Sequence, residues 1–407
     1  MRRTTTLTAA AALGLGLLAP TTTSTVAATA AAVTCQGLPA TIIGTPGTHI
    51  VGTEGPDVIV SDGAMSVDAL GGDDVICLNG ETGFPPTTPA PVDAGPGDDT
   101  IDSTNSANAI LATLGTGADT FVGSSQDDRV SVAYPDPASS TPDVFSGGGG
   151  SDGLSILTGP GAAVIDNVAG RLTSDGQPRA TWSGLEEFWL EYSREQRPLT
   201  FVGSDADELV VDRTDAPAFA DIHLGKGDDT YRTGVSPVPG SRIRGGDGRD
   251  LLAVTAPGDE LELDLKRRRM IVETTPFYVS TPEFEDAELV ARRLLLRGGE
   301  GSNRLGFTAC RAVVKGRGGA DTIRRTYDSV FEPDLDCTES ARIAGGPGKD
   351  VVTGTRGADV VLGNDGHDTL RGGNGNDRVY GGRGRDRADG GKGRDRCGAE
   401  VERRCER

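Results

Sequence analysis

Six aspartates near the C-terminus stand nine residues apart: Asp350, Asp359, Asp368, Asp377, Asp386 and Asp395. Carboxylates in a pattern can do two kinds of chemistry. A single pair flanking a bond can exchange protons, as in glycoside hydrolysis. A repeated series can hold hard cations through oxygen. Repetition favours the second, because an acid–base pair is needed once and not at every ninth residue.

The elements that must position these groups are short. The segment divides into GGPGKDVVT from Gly345, GTRGADVVL from Gly354, GNDGHDTLR from Gly363, GGNGNDRVY from Gly372, GGRGRDRAD from Gly381 and GGKGRDRCG from Gly390. Position four is always Gly and position six always Asp. Position eight is Val352, Val361, Leu370, Val379, Ala388 or Cys397. Three residues make a short strand whose middle side chain points inward. Six residues turn the chain, with Gly permitting positive φ and close backbone approach. Nine residues then form half a coil, and two nines close one turn. The aspartates fall into two columns, Asp350, Asp368 and Asp386 against Asp359, Asp377 and Asp395. Charges stacked at the strand spacing of about 4.8 Å repel, so they call for a counter-ion. Ca²⁺ fits, since it accepts six to eight oxygen ligands in flexible geometry, while Mg²⁺ demands a strict octahedron. Zinc and copper prefer His or Cys.

These units resemble the RTX, or haemolysin-type, calcium-binding repeat G-G-x-G-x-D-x-U-x, a parallel β-helix signature. The resemblance implies that the six position-six aspartates, with backbone carbonyls, are calcium ligands. Two units depart mildly from the pattern, with Thr355 and Asn364 in place of the second Gly. Arg378, Arg383, Arg385, Arg387, Arg394 and Arg396 crowd the end. From Arg342 to Arg407 there are 14 basic and 11 acidic residues, a net of +3. Side chains at positions five and seven should point outward, so these arginines weaken the local field without blocking an ion.

The half-motif recurs at irregular spacing upstream. It places Asp74, Asp99, Asp119, Asp128, Asp229, Asp250 and Asp321 before apolar-rich triplets, and each is a weaker metal candidate, either a cation turn or the relic of one. Asn303 stands where Asp would, which argues against a strong ion site there. Two longer units, Ala163–Val211 and Leu261–Leu305, read as wider coils of the same solenoid, with small inserted β-domains as the alternative. Trp182, Phe188 and Trp189 are expected in the core there, or else on a sugar-binding face. Lys266–Arg269 reads as a solvated face of a strand-like stretch, and Thr82–Asp93 as a surface loop.

Composition agrees with a thin structure. Gly accounts for 60 of 407 residues and aromatics for 4%, which leaves little for a wide core. The formal net charge of -20 argues against nucleic acid as a partner. Arg2, Arg3 and the apolar run to Leu18, followed by Ala30-Ala31-Ala32, read as a secretory signal peptide cut after Ala32. The run is too short to span a bilayer, and no later stretch is apolar enough to do so. Six cysteines in an exported chain suggest disulfides. Local spacing favours Cys35–Cys77, Cys310–Cys337 and Cys397–Cys405.

Catalytic constellations are missing. The three histidines, His49, His223 and His367, form no H-E-x-x-H. His367 occupies position five of a unit, where its backbone should matter more than its ring. Gly149-Gly150-Ser151-Asp152-Gly153 matches G-x-S-x-G, but no helix pattern follows to make the nucleophile elbow. The expectation is an all-β protein, a parallel β-solenoid of Gly/Asp-rich nonapeptides with wider degenerate coils. It comprises a signal peptide over 1–32, a degenerate solenoid over 33–341, a regular calcium-binding β-roll over 342–397 and a disulfide-closed cap over 398–407. The expected function is that of a secreted, extracellular, non-enzymatic protein that folds on binding Ca²⁺. The alternatives are a module binding an anionic cell-surface polymer through the basic C-terminal stripe, and a polysaccharide lyase or epimerase on a solenoid.

Overall fold

The computed structural model describes residues 32–80, 88–133, 141–158, 162–192, 198–213, 219–234, 237–273, 278–326 and 335–406. The expected signal peptide, up to residue 31, and residues 82–87 of the expected surface loop lie outside them. The remainder of that loop is not loop throughout, because Ala90–Asp93 is a strand paired with Ile110–Thr113.

Among the described residues there is no helix. Strands stack in parallel into a β-solenoid of about 15 turns. In the regular block, Val351–Thr353 pairs with Thr369–Asn374, which pairs with Arg387–Lys392 and then Val401–Arg403. On the other face, Ala341–Pro347 pairs with Val360–Gly366, then Arg378–Gly384, then Arg396–Gly398. Each face therefore takes every second nonapeptide, as two units per turn require. Position eight forms the core: Val352, Val361, Leu370, Val379 and Ala388 are all buried, because alternate strand residues face inward.

The turns between strands are too tight for side chains at certain positions. Gly384 has φ 136°, and a Cβ there would collide with the carbonyl oxygen of Gly366 one turn away. Only Gly combines that dihedral with that approach.

The same two ladders continue upstream. One runs without interruption from Arg129–Ala133 through Gly153–Thr158, Glu187–Tyr192, Leu209–Asp212 and Thr230–Thr233 into Leu251–Asp264. The longer units are wider coils of this solenoid, and each adds an antiparallel excursion. In the first, Ala163–Asp166, Arg171–Ser174 and Gln177–Ser183 pair antiparallel in order. In the second, Leu251–Asp264 pairs with Arg269–Val272, which pairs with Val279–Ser280. Arg304–Lys315 uses its first half on one ladder and its second half on the other. At that corner continuous strand replaces the Gly turn.

Two expectations about these units need correction. Trp182 and Phe188 pack in the core, with Phe188 edge-on to Phe201 at 5.1 Å. Trp189 does not join them, since its neighbours Phe188 and Leu190 take the inward positions of the alternation. It lies between the guanidiniums of Arg129 and Arg213, at 4.0 and 4.6 Å from its ring centre, where the ring's negative face attracts cations. Lys266, Arg267 and Arg268 are exposed as expected, but they form the turn between strands, with Arg268 at φ 57°.

All three expected disulfides are present: Cys35–Cys77, Cys310–Cys337 and Cys397–Cys405. The first ties the N-terminal hairpin, Thr34–Cys35 with Leu38–Pro39, to the first coils. The last closes the tail over the end of both ladders.

The thin core makes each large side chain count. Phe188 is fully buried, and Phe188→Ala should destabilise the middle coils by about 3–5 kcal/mol. Urea unfolding followed by tryptophan fluorescence checks this, since Trp182 lies 5.8 Å from the Phe188 ring.

Candidate metal centre

Each aspartate of the regular block sits immediately before a strand, at the end of a Gly turn. The strand fixes its backbone and the turn leaves its side chain nowhere to go but along the stack. One oxygen of each carboxylate is used to join turns. The N–H of Asp350 donates to Asp368 Oδ1 at 2.9 Å, and that of Asp368 to Asp386 Oδ1 at 2.8 Å. In the second column Asp359 donates to Asp377 Oδ1 and Asp377 to Asp395 Oδ1, each at 2.8 Å. The two expected columns are therefore hydrogen-bonded chains of buried carboxylates. Glu400 ends the first by accepting the N–H of Asp386 at 2.7 Å.

The other oxygen is bare. Oδ2 of Asp350, Asp368, Asp377, Asp386 and Asp395 is buried and has no hydrogen-bond partner. Asp359 is the exception, because Thr355 donates its hydroxyl to both carboxylate oxygens at 3.0 Å. A buried polar atom without a partner is costly, and here the cost recurs turn after turn.

The bare oxygens share a cradle with backbone. A Cβ at Gly363 would strike both Oδ2 of Asp368 and the carbonyl oxygen of Gly381. Gly372 stands in the same relation to Asp377 and the Gly390 carbonyl, and Gly316 to Asp321 and the Gly345 carbonyl. A carboxylate oxygen and a carbonyl oxygen facing one space is a hard, anionic donor set. Among the described residues no three His, Cys, Asp or Glu side chains converge on one point. A cation held here takes most of its ligands from carbonyls, which suits Ca²⁺ far better than zinc.

The seven upstream candidates occupy the same ladders. Asp74, Asp99 and Asp119 continue one column, with Asp74 donating to Asp99 Oδ1 and Asp99 to Asp119 Oδ1. Asp229 donates to Asp250 Oδ1 at 3.0 Å, and Asp321 to Asp350 Oδ1 at 2.8 Å. Asp74, Asp99, Asp229, Asp250 and Asp321 also leave Oδ2 bare. Asp128 does not, since Ser124 N–H donates to its Oδ2 at 2.6 Å. Asn303 is satisfied on both sides: Gly299 N–H donates to its Oδ1 and its Nδ2 donates to the Glu285 carbonyl, each at 2.6 Å.

Sequence reasoning passed over Asp143, Asp152, Glu186, Glu208 and Glu285 as ladder acids. Asp57, Asp119, Asp128, Asp152, Glu208 and Asp250 donate in turn to Asp74, Asp143, Asp152, Glu186, Asp229 and Glu285. The signal was an acid just before or at the start of an apolar triplet, as in DVF at Asp143 and ELV at Glu208, which lack the Gly pattern in front, whereas Asp152 carries it in full as GGGGSD from Gly147. His367 also needs correction. Its ring is used, with Nδ1 accepting the Arg385 N–H at 2.9 Å. Arg378, Arg387, Arg394 and Arg396 are exposed, as positions five and seven require. Ser151 meets Asp127 and Glu187 and no histidine.

A family model for the RTX calcium-binding nonapeptide repeat matches residues 113–131, 344–379 and 362–397, in four copies. These stretches of the chain are RTX-type calcium-binding repeats. They are the regular block and one upstream pair of turns, those of Asp119 and Asp128. No curated protein matches the chain.

Burial sets the titration of several of these carboxylates. It pushes Asp350 and Asp377 up to about 7, against the N–H bonds that pull them down and with help from the stacked acids above and below. Asp99 rises to about 7 and Asp229 to about 8 for the same reason. Asp264 goes the other way. Burial opposes its charge, but the Arg317 guanidinium, bonded to both its oxygens at 2.8 Å, holds it below the usual range. For the raised group the sign is fixed. The metal-free folded chain keeps protons on these acids up to about pH 7, whereas the unfolded chain releases them near 4. The folded state binds more protons across that window, so its stability falls as pH rises. Without calcium, the thermal midpoint should be higher at about pH 5 than at about pH 8, and millimolar calcium should remove most of that difference. Differential scanning calorimetry at the two pH values, with and without chelator, checks it.

Proposed function

We propose that this protein is exported and gains its order outside the cell by binding Ca²⁺ between stacked turns. The observation that carries the reading is the series of buried, unpartnered Oδ2 atoms, with a backbone carbonyl facing the same space at Asp250, Asp321, Asp368, Asp377 and Asp395. Asp350, Asp368, Asp377, Asp386 and Asp395 are the ligands, with Asp74, Asp99, Asp229, Asp250 and Asp321 as further ones. Bound calcium supplies the positive charge that a stack of ionised acids lacks. The residues supply oxygen donors, and the Gly turns supply carbonyls at close approach.

Binding and folding are coupled because the site exists only when turns are stacked. Extracellular calcium modules work at about 10⁻⁴–10⁻³ M, so such a chain stays loose in a calcium-poor cytosol and sets after export. The three disulfides, which form in oxidising compartments, support that location. The role is structural: the acids repeat along the solenoid, and among the described residues they serve as fasteners between coils.

Calcium titration of the full chain, followed by circular dichroism and calorimetry, tests the reading. Expected are a gain of β signal with a midpoint of about 10⁻⁴–10⁻³ M and reversal by EDTA. The double variant Asp368→Asn/Asp377→Asn should bind less calcium and lose order at the C-terminal end. Equal order with and without EDTA, together with no calcium uptake, would contradict it.

A further inference from the structure

Ten aspartate turns with a bare oxygen differ from three without one at a single position. In all ten aspartate turns with a bare oxygen, the fourth residue before the Asp is left-handed. This is turn position two. Examples are Gly346 at φ 128°, Asn364 at 82°, Gly373 at 117° and Arg317 at 77°. In that conformation position two stays in register with its counterpart in the next coil, as Gly346 does with Asn364 and Gly373 with Gly391. The carboxylate receives nothing from it.

In three other aspartate turns position two is Thr or Ser and is not left-handed: Thr53 before Asp57, Ser124 before Asp128 and Thr355 before Asp359. Here its N–H turns onto the carboxylate. Thr53 donates N–H and hydroxyl to Asp57 Oδ2 at 2.8 and 2.9 Å. Ser124 N–H reaches Asp128 Oδ2, and Thr355 N–H and hydroxyl reach Asp359 Oδ2. Thr, being β-branched, is a poor occupant of the left-handed region, so it enforces this second arrangement. Asn303 reaches the same end with help from its amide: position two, Gly299, is not left-handed and donates its N–H to Oδ1, while Nδ2 bonds the Glu285 carbonyl. Glu208, one methylene longer, is intermediate: Ser204 N–H caps Oε1 at 2.7 Å while Oε2 stays bare.

We propose that turn position two decides whether a turn takes a cation, and that Thr53, Ser124 and Thr355 close their turns without one, as Asn303 does by its amide. Hydroxyl and N–H donors occupy the oxygen that a cation would otherwise satisfy. The closed turns recur along the solenoid, near its start, in the upstream matched pair, before the regular block and within it. They are points where coils register with no ion. In the regular block this leaves five cation turns and not six.

This rests on the calcium reading above, and the experiment separates the two. Bound calcium per full chain is counted by equilibrium dialysis and atomic emission for wild type, Thr355→Gly, Thr355→Ser and Asn303→Asp. Thr355→Gly, free to become left-handed and stripped of its hydroxyl, should gain one calcium. Thr355→Ser should match wild type, and Asn303→Asp should gain one. A wild type that binds calcium while a folded Thr355→Gly gains none overturns the position-two rule alone, whatever Asn303→Asp does; no gain in Asn303→Asp overturns only the part given to the amide. A wild type that binds none overturns the calcium reading and this rule with it. If Thr355→Gly fails to fold, Gly373→Thr decides: it should lose one calcium, and an unchanged count overturns the rule.

Discussion

Everything in this solenoid depends on burying one carboxylate at each turn. In most turns the first oxygen of that carboxylate accepts the N–H of the acid a coil away, so the acid is the fastener between coils. At Asp321, Asp368 and Asp377 the second oxygen faces a Gly and a carbonyl. An ionised acid in such a place repels its neighbours above and below, and burial opposes its charge. Protonation, a hydroxyl donor or a cation can each answer that, and the chain uses the geometry of position two to leave some turns open and to shut others.

The core adds less than it would in a globular domain. Inward side chains form a single file, and the largest of them, Phe121, Phe145, Phe188, Phe201, Phe307 and Tyr231, belong to the upstream coils. In the regular block the file narrows to Val352, Val361, Leu370, Val379 and Ala388. The coils with the smallest core residues carry the densest series of bare carboxylates. Where the core is wider, arginine takes over part of the neutralising work, as Arg317 does at Asp264 and Arg325 at Glu339. Cation dependence should accordingly be concentrated toward the C-terminal end, where hydrophobic burial contributes least.

Much of this was legible in the sequence because the repeat is both the fold and the site. Nine-residue spacing gave the two columns, the inward position eight and the outward arginines, and cysteine spacing gave the pairs. The upstream acids were harder to read. Glu208 and Asp143 sit on the ladders without the Gly pattern that marks the regular units, so only the acid-then-apolar signal identifies them. Trp189 was misplaced because alternation assigns Phe188 and Leu190 inward, and the cation–π stacking that holds Trp189 depends on Arg129 and Arg213, which are distant in sequence. The distinction between Thr355 and its Gly counterparts looked like a mild departure. Its consequence lies in a backbone dihedral, which a motif does not display.

The most direct test is a crystal structure of the full chain grown in calcium, with anomalous data to identify the ions. The account predicts metal density bonded to Oδ2 of Asp350, Asp368, Asp377, Asp386 and Asp395, and none at Asp359 or Asn303. Well-ordered turns whose Oδ2 atoms contact only water or remain protonated, with no anomalous peak beside them, would contradict it.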